Sequence, residues 1–229
     1  MKALPKLISG GVGIAVCLAL NVLTAQAAPN LIADPGFENL LMAPNPNPNG
    51  VPGWATFNGA NFSSTYAHTG SLGMDMPGGT GGYTVPGAYE VFAASPGQTF
   101  TLSGWVFTPN ALVPNSNDFA ILQLAFFTGT PPNNYGGGTA LPTFGVNFGT
   151  PIGGPSVTLP QGVWTFGSVT ATAPATTGSL GVYLLNINAD SNAHFAFDDI
   201  SLTVPEPTTL SLCALGLLGL PLLRLRRRN

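Results

Sequence analysis

Short hydrophobic runs alternate with breaks rich in glycine and proline through the middle of the chain. The runs are rich in Val, Ile, Phe, Thr and Tyr, which favours β-strands. Proline and glycine recur so often that no helical period persists over the length of a helix. The clearest runs are YEVFAA, TFTLSGWVF, FAILQLAFF, WTFGSVTATA, SLGVYLLNI and HFAFDDISLTV. The pattern predicts an all-β domain of about ten strands, a jelly-roll β-sandwich.

The run TFTLSGWVF shows the strand alternation most clearly. Leu102 and Val106 fall on one face of the strand, whereas Trp105 falls on the other. Because both faces carry bulky side chains, the pattern predicts a strand enclosed in a two-sheet core, with Trp105 in that core. Trp164, in GVWT, is also predicted to be a core residue because it falls in a strand-like run.

Two long segments separate these runs. Residues 39–53, NLLMAPNPNPNGVPG, are rich in Asn and Pro and are predicted to form an extended loop. Residues 128–155 carry several aromatics among glycines and are predicted to be a long flexible loop. Long loops are either functional or solvated connectors, and the sequence leaves both readings open.

The first 27 residues have the layout of a signal peptide. Two lysines precede an apolar stretch, and the small-residue pattern Ala25-Gln26-Ala27 follows it, which predicts cleavage after Ala27. A retained N-terminal anchor is the alternative. The predicted exported domain then covers residues 28–203.

The exported domain has an unusual charge composition. All six Lys and Arg residues lie in the terminal segments, whereas eight of the nine Asp and Glu residues lie within residues 28–203. Such a domain cannot neutralise nucleic-acid phosphates, and anionic membranes would repel it, so we expect no nucleic-acid partner. Both cysteines, Cys17 and Cys213, also lie outside it, so no disulfide is expected there.

The last 26 residues, 204–229, have three parts in sequence. The triplet Pro205-Glu206-Pro207 is followed by an uncharged, leucine-rich span at 208–223 and then by four arginines within residues 224–228. The span is predicted to be a transmembrane helix of about 24 Å, short against a hydrocarbon core of about 30 Å. The arginines would stay in the cytoplasm.

This tail resembles a PEP-CTERM sorting signal. The resemblance implies processing near Pro205, Glu206 and Pro207 by an exosortase of a Gram-negative bacterium, after a transient stay in the inner membrane. The mature protein would then reach the cell surface or the extracellular matrix. A plain tail anchor is the alternative, although it would need neither the triplet nor so short a span.

A second resemblance covers most of the domain. The strings NLIADPGFEN, VPGW, AHTGSLGMDM, GVWTFGSVTATAP and FAFDDISLT occur in an order similar to that of jelly rolls of the carbohydrate-binding-module and galactose-binding-like type. It implies that the GFE segment lies beside a closing DDI strand. It also implies a structural Ca²⁺ held by Glu38 and Asp198, with Asp199 as alternate, because hard oxygen ligands suit calcium. The alternative is that these carboxylates are hydrogen-bonded or exposed.

Sugar binding by such a domain would need aromatic platforms with polar neighbours. Loop aromatics are the better candidates, because strand aromatics are predicted to pack in the core. The candidates are Trp54, Tyr66, Tyr83 and Tyr135.

The sequence carries no recognisable catalytic motif. It has no Gly-x-Ser-x-Gly and no His-Glu-x-x-His. Asp198 and Asp199 are not expected to act as a glycosidase pair, because strand neighbours point to opposite faces unless a bulge intervenes. We therefore predict a non-enzyme: a structural or adhesive protein of an exopolysaccharide matrix, as in biofilm or floc. The alternatives are a lectin for a defined cell-surface glycan and a polysaccharide-acting enzyme.

Overall fold

The computed structural model describes seven segments of the chain. They are residues 28–39, 53–78, 85–112, 117–129, 138–151, 155–187 and 193–205. These residues form ten strands and no helix, so the described part contains no helix that could span a membrane. The strands are β1 (Ala55–Phe57), β2 (Asn61–Ser63), β3 (Gly73–Met76), β4 (Gly87–Ala93), β5 (Thr99–Phe107), β6 (Phe119–Phe127), β7 (Ala140–Gly149), β8 (Thr165–Thr172), β9 (Ser179–Ile187) and β10 (Phe195–Thr203).

The strands form two five-stranded antiparallel sheets. Sheet A has the order β1-β4-β9-β6-β7, and sheet B has the order β2-β3-β10-β5-β8. This two-sheet sandwich confirms the predicted all-β class and is consistent with a jelly roll. Alternate residues of each strand point into the space between the sheets, and the others point outward.

The core lies between the two inner faces. Aromatic and aliphatic side chains from both sheets fill it, and Phe100, Leu122 and Phe197 are among those fully buried. Trp54 is also almost fully buried, and its indole Nε1–H donates to the carbonyl oxygen of Asp34 at 3.0 Å. The structure therefore places Trp54 in the core, where its ring has no face open to a sugar.

The six runs quoted from the sequence each overlap an observed strand, whereas β1, β2, β3 and β7 correspond to none of them. The runs at 99–107, 119–127 and 179–187 coincide with β5, β6 and β9. The prediction of a flexible loop over 128–155 is wrong, because β7 lies within it and pairs with β6. Pro142 and several glycines hide this strand in the sequence, and they are tolerated because β7 is an edge strand.

The N-terminal segment lies beside the last strand, as the resemblance implied. The N–H of Leu31 donates to the carbonyl of Leu202 at 2.8 Å, and the N–H of Ile200 donates to that of Pro35 at 2.8 Å. The side chain of Asn30 completes the contact by bonding to both Ile200 and Leu202. These bonds join the two ends of the domain.

Several predicted features lie outside the described residues. They are the signal peptide 1–27, Tyr83, Tyr135, Glu206, Pro207 and the apolar span 208–223. Each of them stays a prediction.

Candidate functional site

Aromatic side chains gather on the outward face of sheet B. The alternation in β5 buries Leu102 and Val106 and turns Trp105 outward, where it lies opposite Phe166 of β8. The two rings meet edge-on, with centroids 5.5 Å apart. Phe166 is 51% exposed, a large value for a phenylalanine in a sheet.

This arrangement corrects the prediction that Trp105 and Trp164 are core residues. Both side chains are only partly buried, and Trp164 packs against the outward-facing Phe107 with centroids 5.2 Å apart. A strand in a two-sheet sandwich has one inner face, which Leu102 and Val106 already fill in β5. The second set of bulky residues therefore has to lie on the surface.

The loop between β2 and β3 folds over these rings. His68 stacks on Trp105 with centroids 4.2 Å apart and an interplanar angle of 21°, and it also approaches Trp164 at 5.3 Å. Tyr66 packs against Phe107 at 5.7 Å and meets the edge of His194 at 5.0 Å. We call this set of rings the aromatic face: Tyr66, His68, Trp105, Phe107, Trp164, Phe166 and His194.

Two carboxylates orient the two histidines of the aromatic face. His68 Nδ1 lies 2.7 Å from Asp199 Oδ2, and His194 Nε2 makes a short hydrogen bond with Asp75. The side chains of His68 and Asp199 remain 24% and 31% exposed, so both stay within reach of a ligand. The rim of the aromatic face thus offers fixed polar groups beside its rings.

Two carboxylates, the buried Asp198 and the exposed Glu38, hold the loop in place. Asp198 Oδ2 accepts the N–H groups of His68 at 2.6 Å and Thr69 at 3.1 Å. Glu38 Oε1 accepts those of Ser71 at 2.7 Å and Leu72 at 2.9 Å. The first segment of the domain and its last strand therefore both anchor the turn at 68–72, and with it the His68 ring.

Glycines make this anchoring possible. Gly70 has φ +65°, and a Cβ there would lie 2.2 Å from Glu38 Oε1. A Cβ on Gly73 would lie 1.9 Å from the carbonyl oxygen of Tyr66. The Tyr66 carbonyl belongs to the backbone and leaves no room for a side chain at Gly73. At Gly70 a side chain would be strained by the positive φ and would displace the Glu38 carboxylate, so this arrangement of the loop favours glycine at both positions.

A β-bulge brings two adjacent carboxylates to the same loop. The register between β10 and β5 shifts between Asp198 and Ser201, and Asp199 has φ +49°. As a result both Asp198 and Asp199 bond to Thr69, through its N–H and its hydroxyl respectively. Neighbouring side chains of a strand point to opposite faces unless a bulge intervenes, and here one does.

Burial raises the pKa of the Asp198 carboxyl above its ordinary value. The N–H groups of Thr69, Asp199 and His68 oppose this by stabilising the charged form, while the negative charge of Asp199 adds to it. Asp198 is fully buried. Its role in the described structure is to accept backbone hydrogen bonds from the loop and from Asp199.

The residues predicted to hold calcium lie close together, but N–H donors already engage two of them. A Cβ on Gly36 would lie 3.7 Å from Asp198 Oδ1, 3.9 Å from Asp199 Oδ1 and 3.8 Å from the Cγ of Glu38. The turn at 68–72 presents backbone N–H groups to Asp198 and Glu38. Within the described residues, no group of three or more His, Cys, Asp or Glu side chains is arranged to hold a metal ion. Calcium stays a prediction.

Two of the predicted sugar-contacting residues fall in the described part of the chain: Tyr66 lies on the aromatic face, and Trp54 lies in the core. The sequence reasoning missed Phe166 and the two histidines. The alternation in β5 could have indicated an aromatic surface. Trp105 alternates with residues that fill the inner face of the strand, so its own side chain has to point outward.

The sequence matches no protein-family model and no curated protein. Several solved structures similar to this chain are carbohydrate-binding modules. One is described as "Family 16 Carbohydrate Binding Module-2", with 21% identity and a TM-score of 0.43, covering 63% of this chain and 84% of that chain. A second is TmCBM61 in complex with β-1,4-galactotriose, with 12% identity and a TM-score of 0.48, covering 78% of this chain and all of that chain.

A third is the CBM22-1 xylan-binding domain of Xyn10C from Paenibacillus barcinonensis. It has 15% identity and a TM-score of 0.42, and the similarity covers 67% of this chain and 86% of that chain. These are similarities of overall architecture, and we take no residue role from them.

Proposed function

We propose that this protein binds polysaccharide through the aromatic face and serves a structural or adhesive role in an exopolysaccharide matrix. One observation carries the proposal: Trp105, Trp164 and Phe166 lie together on the outward side of sheet B, beside polar groups held by hydrogen bonds. Sugar rings have apolar faces that pack on aromatic rings and hydroxyl edges that need polar partners.

Export and release complete the proposal. The predicted signal peptide would direct the domain out of the cytoplasm, and an exosortase would process the tail near Pro205-Glu206-Pro207. We expect replacement of the triplet by three alanines to trap a full-length protein in the inner membrane. Matrix release that is unchanged by this replacement would contradict the sorting proposal.

The binding proposal is tested by affinity electrophoresis with the exopolysaccharide of the producing organism. We expect the polysaccharide to retard the wild-type chain, and the Phe166→Ala variant to lose most of that retardation. Phe144→Ala is the matched control, because Phe144 is an exposed phenylalanine of sheet A. Equal retardation of both variants would contradict a site on the aromatic face.

The same preparation separates the two alternatives. A lectin for one defined glycan would bind a small number of structures on a glycan array and ignore the bulk polysaccharide. A polysaccharide-acting enzyme would release soluble fragments from that polysaccharide over time. We propose binding without catalysis, since the carboxylates around the turn at 68–72 are engaged with N–H, hydroxyl and imidazole groups.

A further inference from the structure

Beyond the aromatic face, the outward side of sheet B continues as an array of hydroxyl side chains. The alternation that turns Trp105 outward does the same for every second residue of β5 before it. The residues opposite them on β8 and β10 also carry hydroxyls. The hydroxyl array consists of Thr99, Thr101 and Ser103 on β5, Ser168, Thr170 and Thr172 on β8, and Ser201 and Thr203 on β10.

Hydrogen bonds between the hydroxyls order this array but leave some of their donor and acceptor sites unused. Thr101 and Thr170 join through hydroxyls 2.9 Å apart, and Thr99 and Thr172 join through hydroxyls 3.0 Å apart. Each hydroxyl has one donor and two acceptor sites, so each pair still presents one O–H and several lone pairs to a ligand. Because the side chains are already ordered, binding would cost little further rotamer entropy.

The hydroxyl array runs directly into the aromatic face. Trp105 follows Ser103 at the next outward position of β5, and Phe166 precedes Ser168 in the same way on β8. Outward positions along a strand are about 7 Å apart, so the distance from Thr99 to Trp105 is about 20 Å. This length is suited to several consecutive sugars of an extended chain.

Charge limits which polymer could lie there. None of the eight array residues is ionisable, and the charged groups at the aromatic end include the carboxylates Asp75, Asp199 and Glu38. Residues 28–203 contain no Lys or Arg that could pair with an anionic sugar. A uronic-acid polymer would be repelled, whereas an uncharged one would not.

We propose that the hydroxyl array and the aromatic face form one continuous surface for an extended, uncharged polysaccharide chain lying along β5 and β8. The aromatic rings stack on sugars at one end, and the threonine and serine hydroxyls bond to sugar hydroxyls along the rest. This inference rests on the proposed polysaccharide binding and adds the class and the orientation of the polymer.

Cross-strand threonine pairs also stabilise sheets that bind nothing. Sheet A shows that the fold does not require them on an outward face, since its corresponding rows carry residues such as Val91, Ile121 and Leu185. The contrast makes the hydroxyl array a property of this surface rather than of the sandwich.

The test uses the full chain in mild detergent and the neutral fraction of the producing organism's exopolysaccharide, cut into long and short fragments. The main variant replaces Thr99, Thr101, Thr170 and Thr172 by valine, which keeps shape and strand propensity but removes the hydroxyls. We expect it to bind long fragments about tenfold more weakly, as four modest hydrogen bonds allow, and short fragments as the wild type does. Polygalacturonate, an anionic polymer, is expected not to bind.

Two further variants control this result. Thr143→Val changes a threonine of β7 in sheet A and should leave binding unchanged. The same four positions changed to serine keep the hydroxyls and should retain binding. If the valine variant melts at a much lower temperature than the wild type, the single variant Thr170→Val, at an exposed position, replaces it. We expect that variant to lose less affinity for long fragments, but a measurable amount.

Each outcome decides between the two proposals. If the valine variants bind long fragments like the wild type while Trp105→Ala does not, the hydroxyl array is structural and this inference fails, although the proposed function stands. Equal affinity of the wild type for long and short fragments, or loss of binding in the serine variant, also overturns the inference. If the wild type binds no fragment of any kind, the proposed function fails as well.

Discussion

The outward faces of the two sheets both carry aromatic rings, but different interactions hold the rings in place on each sheet. On sheet A, Tyr89 and Tyr183 stack with centroids 5.6 Å apart, and Tyr183 lies over Gly181 of its own strand. On sheet B, His68 stacks on Trp105 while its backbone and its imidazole bond to carboxylates of β10.

The difference shows why we assign binding to sheet B. Tyr89 is only 5% exposed, so the tyrosine stack of sheet A is largely a packing feature. Phe166 on sheet B is about half exposed and has ordered polar groups nearby. Exposure together with fixed hydrogen-bonding groups distinguishes a binding surface from a surface that only completes a fold.

The largest expected effect on stability comes from removing the carboxylate that anchors the loop of sheet B. Asp198→Ala leaves the N–H groups of His68 and Thr69 without their acceptor, which should lower the free energy of unfolding by on the order of 4 kcal/mol. Chemical denaturation measures this loss, and near-ultraviolet circular dichroism should show that the environment of Trp105 has changed. A variant as stable as Thr143→Val would mean that the anchoring contributes little.

The next largest effect concerns Glu90, which lies on the inner side of sheet A. Burial raises its pKa from 4.5 to about 7, the N–H of Ala33 opposes this, and the charge of Asp34 adds to it. Because the folded state favours the protonated form, its contribution to stability is full below pH 4.5 and is lost as the pH rises through 7. Glu90→Gln should therefore raise the free energy of unfolding at pH 8 by about 2 to 3 kcal/mol.

The pH dependence supplies the control for Glu90. At pH 4 the variant and the wild type should have nearly equal stability, because the wild-type carboxyl is then mostly protonated in both the folded and the unfolded state. Denaturation curves at pH 4, 6 and 8 measure the difference. Parallel profiles for the two proteins would show that Glu90 does not titrate as its burial indicates.

Calcium is expected to give the smallest effect. Backbone N–H groups of the turn at 68–72 already occupy some of the acceptor sites of the Glu38 and Asp198 carboxylates, so we expect calcium to bind weakly. A tenfold excess of calcium over Kd would stabilise the fold by about 1.4 kcal/mol. For a domain of this size that raises Tm by a few degrees, about 2–4 °C per kcal/mol. Thermal unfolding of the full chain in EDTA, then in Ca²⁺ or Mg²⁺, measures it, and magnesium should do less.

Two results would contradict the calcium site. One is a melting curve that is indifferent to calcium in the wild type. The other is a rise that persists in the double variant Glu38→Gln and Asp198→Asn, because the ion would then bind elsewhere on the acidic domain.

The strands could be predicted from sequence where local patterns and burial agree. β5, β6 and β9 are interior strands of the sheets, and their runs of β-branched and aromatic residues match their bounds. β7 could not be predicted, because an edge strand tolerates Pro142 and glycine and its pairing with β6 depends on distant residues.

The site was harder to predict because it is formed by contacts between residues that are far apart in the sequence. The bulge after Asp198 and the left-handed turn at Gly70 bring residues 38, 68 and 199 together, and no local pattern encodes that meeting. The resemblance to carbohydrate-binding jelly rolls correctly indicated which segments meet, but not that N–H donors of the turn would engage the carboxylates.

The comparison of the two faces is tested most directly by isothermal titration with the neutral exopolysaccharide of the producing organism. Trp105→Ala and Tyr183→Ala each remove one stacked ring, the first from sheet B and the second from sheet A. We predict that Trp105→Ala weakens binding at least about tenfold, as expected when a central aromatic contact is lost, and that Tyr183→Ala leaves Kd within about twofold of the wild type. The reverse result, with binding lost in Tyr183→Ala and kept in Trp105→Ala, would place the site on sheet A and contradict the account.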